Sequence, residues 1–178
     1  MESSRVYVWD LLVRIVHWSL ATLILVDLFN EAGANPWHRW LGYAAGALVV
    51  TRLAWGMAGS PHARLSAIAK SAGEVSKYVT RWRSGSRAHY PGHNPLGAWM
   101  SLALWFLTLS VVATGWLLQL ERFWGDDLVE DVHTVTAYTL AAFIVLHISG
   151  VLLTSLASRT NLIKAMITGK KAFPSPDR

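Results

Sequence analysis

The sequence predicts an all-α integral membrane protein. The expected form is a four-helix bundle with both termini cytoplasmic and an amphipathic surface helix in the long second loop. Three observations carry this expectation. Of the 178 residues 53% are apolar and only 15% charged, against about 25% charged in a soluble domain. Four stretches nearly free of charge are each long enough to cross a bilayer, which takes roughly 20 residues. Lysine and arginine collect in alternate connections, as they do on the cytoplasmic side of membrane proteins. The length suits a single domain.

The first span covers about 11–30 and carries Arg14 near one end and Asp27 near the other. No basic stretch precedes an uninterrupted apolar core and no small-residue cleavage site follows, so it reads as a retained helix, not a signal peptide. The link after it holds Glu31 and neither Lys nor Arg. The second span covers about 38–58, interrupted only by Arg52. The second link is basic, with Arg64, Lys70, Lys77, Arg81, Arg83 and Arg87. Within it Leu65, Ile68, Ala72, Val75, Val79 and Trp82 recur every three or four residues among Ser, Lys, Glu and Arg. That pattern predicts a helix lying on the membrane surface, its lysines near anionic lipid head groups. Because these basic residues flank spans and form no compact patch, a nucleic-acid partner is not expected.

The third span, about 95–120, has no Asp, Glu, Lys or Arg, and Asn94 and Pro95 supply an N-cap and a first helical residue. The link that follows is acidic, with Glu121, Asp126, Asp127, Glu130 and Asp131 against Arg122. The fourth span covers about 132–157, and the tail adds Arg159, Lys164, Lys170, Lys171 and Arg178. Residues 173–178 are expected to fray. Every link agrees on orientation: basic links cytoplasmic, acidic links outside. Trp37, Trp40, Trp116 and Trp124 suit an aromatic belt.

Without cysteine there is no disulfide framework, thiolate-bound zinc, iron–sulfur cluster or thioether-attached haem. Any metal must be held by His or carboxylate, and ionisable side chains inside a bilayer are functional candidates by default. His17 lies two turns into the first span, His38 opens the second, and His133 and His147 lie on the fourth. The 14-residue interval from His133 to His147 leaves them about 40° apart on one face and about 21 Å apart along the axis. Topology then matches depths: His17 with His147 toward the cytoplasm, and His38 with His133 toward the outside. Bis-imidazole pairs across facing helices are a way for a bundle to hold a non-covalent haem. Hydrogen-bonded packing histidines and a zinc or copper pathway are the competing readings; the second lacks Asp, Glu, Cys or Met beside the pairs.

Gly42 and Gly46 are expected to leave space beside the second helix, Gly150 follows His147, and Gly115 interrupts the third helix. Ordinary small-residue packing explains any one of them equally well. Arg52 shares a face with His38 at cytoplasmic depth and is the best candidate to bind a haem propionate. Arg14, one turn before His17, is a second candidate, and Arg39 reads as an interfacial anchor. His93 reads as a cap-region residue, His62 and His89 as solvated, and Asp27 as a marker of the outer interface.

Three segments, 14–18 (RIVHW), 38–42 (HRWLG) and 92–97 (GHNPLG), together with the spacing of His133 and His147, resemble the bacterial di-haem cytochrome b561 family. Within that family the likeness is greatest to the b-type cytochrome subunits of membrane-bound nickel–iron hydrogenases, and 161–171 is similar to a sequence after their last helix. The resemblance covers nearly the whole chain. It implies two b haems, one near each surface, with His17, His38, His133 and His147 as ligands, in the bacterial inner membrane. It also implies electron exchange with quinone and with a periplasmic redox protein: a hydrogenase, a c-type cytochrome or another dehydrogenase. A stand-alone quinone-reducing oxidoreductase, for example one oxidising superoxide, is the alternative. A non-redox membrane anchor is a third reading, and a homo-oligomer is compatible with all three.

Overall fold

The computed structural model describes residues 5–30, 36–85, 90 and 92–172. Glu31, Arg87, His89 and the tail 173–178 lie outside the described residues. Four helices are long and apolar enough to span a membrane: α1 (Leu11–Leu28), α2 (Pro36–Ala58), α5 (Pro95–Leu117) and α6 (Asp127–Ser158). Between α2 and α5 lie α3 (Leu65–Ile68) and α4 (Ala72–Arg83), and α7 (Leu162–Thr168) follows α6. Helix α1 packs on α2, α2 on α5 and α5 on α6, whereas α1 and α6 make little backbone contact. Many large apolar side chains on the spans are exposed, including Leu25, Phe106, Leu146 and Leu153, as the lipid-facing surface of a bundle requires.

The helix ends follow local chemistry. Asp10 caps α1 by accepting from Val13 N–H, and Asn94 caps α5 by accepting from Gly97 N–H with Pro95 in the first turn. Helix α6 starts at Asp127, about a turn earlier than expected, because Asp126 caps it and Asp127 and Glu130 occupy its first turn, where negative charge is favoured. The acidic link is thus largely the start of α6. The single amphipathic helix expected in the second link is instead broken into α3 and α4. The break falls before Ser71, where Ser71 and Glu74 form a capping box that starts α4 afresh. Ile68 is fully buried while no residue of α4 is, so α4 lies on the surface.

A two-stranded antiparallel sheet joins the chain ends. Strand β1 (Arg5–Tyr7) pairs with β2 (Lys170–Ala172), Val6 opposite Lys171. Gly169 adopts φ +78°, and its carbonyl accepts from Val8 N–H (2.8 Å) and Trp9 N–H (3.1 Å). A Cβ there would sit 2.6 Å from the Trp9 carbonyl oxygen, so only glycine fits. Beneath the sheet Val8, Trp9, Val13 and Ala63 form a small core with Trp55 and Met166 against it. This terminal end of the bundle therefore gathers the start of α1, the end of α2, the entry to α5 and α7. The opposite, acidic end holds the end of α1, the start of α2 and the α5–α6 turn.

Candidate functional site

Each end of the bundle brings two of the four span histidines close together. At the terminal end the ring centres of His17 (α1) and His147 (α6) are 6.4 Å apart. At the acidic end those of His38 (α2) and His133 (α6) are 6.1 Å apart. Two imidazoles on opposite sides of one metal ion, each bonded at about 2 Å, have centres roughly 6 Å apart. Both separations suit a bis-imidazole iron. Among the described residues no group of three or more His, Asp or Glu gathers as a bare ion site would require.

The hydrogen bonds around the acidic-end pair decide which ring nitrogen is available. His38 Nδ1 lies 2.9 Å from Asp27 Oδ1; the carboxylate can only accept, so Nδ1 carries the proton. Thr114 donates its single hydroxyl proton to backbone carbonyls of its own helix, those of Ser110 and Val111. It is left to accept from His133 Nδ1, 3.0 Å away. Both rings therefore keep an Nε2 lone pair, in the tautomer a metal ligand needs. Asp27, expected only to mark the interface, is instead the partner of His38. It is brought there because α2 turns straight back along α1. Gly115, expected to interrupt its helix, lies against the His133 ring.

The terminal end is built differently. No hydrogen bond reaches His17 or His147 among the described residues, and His17 Nδ1 is buried without a partner. Arg52 is buried; its Nη2 donates to the Ala63 carbonyl (2.9 Å) and its guanidinium carbon sits 4.9 Å over the Trp105 ring. Arg52 Nη1 and Arg14 Nε are likewise buried and unpartnered. His93 is no cap, a role Asn94 fills. It packs against Trp9 with ring centres 4.7 Å apart. Ser101 Oγ donates to the Gly97 carbonyl and so accepts from His93 Nε2 at 3.3 Å, leaving His93 Nδ1 unpartnered. Burial, helped by the charges of Arg52, His147, Lys171 and His17, pushes the His93 pKa down to about 3, so the ring is neutral. Sequence reasoning underrated His93 because its burial depends on Trp9 from the far N-terminal segment.

Four buried polar nitrogens without partners, each costing about 1–3 kcal/mol, mark this end as shaped for a polar-edged ligand. Haem propionates match the arginine donors. Gly42 and Gly150 face open space, whereas Gly46 is filled against Val112, its Cβ position 3.1 Å from Val112 Cγ1. Arg39 Nη1 donates to Gln119 Oε1 (2.6 Å), tying α2 to the end of α5. His62 is half-buried beside Gly92 and not simply solvated. An open groove of about 480 Å³ lined by Leu11, Arg14, Ile15, Trp18, Ser19 and Ile167 lies beside α1 and includes neither His17 nor His147.

Compared with known proteins, residues 8–169 match the family model for prokaryotic cytochrome b561. A probable Ni/Fe-hydrogenase B-type cytochrome subunit of Rhizobium leguminosarum bv. viciae is 28% identical over 97% of this chain and 91% of that protein. Proteins of the same name from Bradyrhizobium diazoefficiens and Azotobacter vinelandii are each 26% identical. They cover 94% and 97% of this chain and 86% and 90% of their own lengths. No solved structure matches the chain.

Proposed function

The chain belongs to the prokaryotic cytochrome b561 family, membrane b-type cytochromes of electron transfer, and on that premise we propose that it carries two b haems linking a periplasmic redox partner to the quinone pool. His17 and His147 hold one haem on the cytoplasmic side, and His38 and His133 the other on the periplasmic side. When bound, the two haems supply reversible one-electron transfer. Haems each held by two histidines would suit electron relay and not oxygen binding.

The observation that carries this reading is the pair of imidazole couples, 6.4 and 6.1 Å between ring centres, at two depths of one bundle. His133 and His147 share α6 and lie about 21 Å apart along it, so the two sites divide the membrane between them. Arg52 Nη1 and Arg14 Nε offer buried donors to propionates at the cytoplasmic site. The basic connections and tail orient that end inward. The acidic start of α6, with Asp126, Asp127, Glu130 and Asp131, faces the periplasm and suits a basic patch on a partner. The names of the relatives make a nickel–iron hydrogenase the first partner to test.

Reduced-minus-oxidised spectra and haem-to-protein ratios of the purified protein test the reading. Wild type is expected to hold two haems per chain, and His147→Ala and His133→Ala one each. Absence of b-type bands, or His147→Ala retaining both haems, would overturn it.

A further inference from the structure

The two histidine pairs have unlike surroundings. His38 donates from Nδ1 to Asp27 Oδ1 at 2.9 Å, with the two side chains 29% and 17% exposed. His133 donates to a neutral hydroxyl, Thr114 Oγ1. His17 and His147 have no hydrogen-bond acceptor among the described residues, and His17 Nδ1 is buried bare. The charges of Arg52, buried on α2, and Lys171 are felt at His93, the buried imidazole that His17 and His147 also influence.

A carboxylate accepting from the outer nitrogen of a ligating imidazole increases the basicity of the ring and places negative charge close to the metal. Oxidised iron carries one more positive charge than reduced iron, so that arrangement favours the oxidised form and lowers the reduction potential. We infer that Asp27, acting through His38, is a potential-setting residue that makes the periplasmic haem site more reducing than the cytoplasmic one. This rests on the two-haem reading above. With both sites loaded, two electrons given up by the oxidised periplasmic partner would pass one at a time from the site of His38 and His133 to that of His17 and His147, and on to a quinone, which takes up two protons to become quinol. Asp27 makes that direction downhill.

Equilibrium redox titration of the purified protein, followed by haem absorbance, tests the inference. Wild type is expected to titrate in two waves, and the lower one disappears in His133→Ala, which leaves only the cytoplasmic site. Asp27→Asn is expected to raise the lower wave on the order of 59 mV, a tenfold change in the ratio of oxidised to reduced iron, and to leave the upper wave in place. Asp27→Glu restores a low value, which a purely structural role does not explain. Thr114→Val leaves the Asp27–His38 contact intact and is expected to move the lower wave by less; if Asp27→Asn fails to retain haem at that site, Asp27→Glu carries the test, and a lower wave raised as far as about 59 mV in it overturns the inference. Unchanged potentials in Asp27→Asn, or movement of the wave that survives in His133→Ala, overturn the inference. A wild-type protein lacking two haems instead overturns the two-haem reading, and haem content distinguishes the two failures.

Discussion

A Cβ placed on Gly115 would lie 3.1 Å from Cε1 of His133 and 3.5 Å from its Nδ1. The absence of a side chain on α5 is therefore what lets the His133 ring come so close to that helix. One turn of backbone here does two jobs. Thr114 holds the ring nitrogen at 3.0 Å, and the next residue clears the space the ring occupies.

Gly115→Leu is accordingly expected to push His133 off its position opposite His38 and to lower haem content by about half, the loss of one bis-histidine site. Gly115→Ala, whose single methyl needs the ring to yield a few tenths of an ångström, is expected to keep most of it. Haem-to-protein ratios check this, with the absorbance of the haem at His17 and His147 retained. If Gly115→Leu keeps full haem content, His133 is not fixed by this contact.

Asp10 ties three segments together. Its Oδ1 accepts from Val13 N–H (2.9 Å) at the start of α1, and its Oδ2 accepts from Trp55 Nε1 (3.0 Å) and Ser60 Oγ (2.6 Å) beyond it. Burial alone pushes its pKa up. The hydrogen bonds from Ser60, Trp55 and Val13, with the charge of Arg52, more than offset this and hold it below the ordinary carboxylate value. Asp10→Ala removes a helix cap worth about 1 kcal/mol and strands donors at about 1–3 kcal/mol each. A loss of about 2 kcal/mol or more is expected in detergent unfolding at pH 7. Because the folded pKa is depressed, the stabilisation is present above pH of about 4 and disappears as pH falls through the lowered value. The gap between wild type and variant should close with it. A gap that persists at pH 2 would show that cap geometry, and not charge, matters.

The bundle was legible in the sequence because membrane spans leave two plain marks: missing charge and lopsided connections. The histidine pairing was legible because helix pitch converts the interval from His133 to His147 into a shared face. What escaped depends on contacts between segments distant in sequence. The β1–β2 pairing joins Arg5–Tyr7 to Lys170–Ala172, strands too short to show any period. Asp27 resembled an interfacial acid until the reversal into α2 set it beneath His38. The buried His93 needed Trp9, and the early start of α6 needed its acidic residues to be read as a favourable first turn and not as loop.

Lys171 in β2 is nearly buried, and its Nζ donates to the Tyr90 carbonyl at 2.5 Å. Burial pushes its pKa down to about 8 from an ordinary 10.5. Between those two values the unfolded chain binds more protons than the folded one, so Lys171 makes stability rise with pH through that window. Below about pH 8 both states are protonated, and the folded chain carries the full cost of a buried ammonium, softened by its bond to Tyr90. Lys171→Met removes both the cost and the bond. Relative to the variant, wild type is thus expected to gain thermal stability in detergent as pH goes from 8 to 10.5, and to show no such trend from 6 to 7. Comparing the two proteins at each pH cancels the tyrosines and other lysines that titrate in the same range. A difference that stays flat up to pH 10.5 would mean that Lys171 stays charged in the fold, with the sheet holding it by the Tyr90 carbonyl more strongly than burial opposes it.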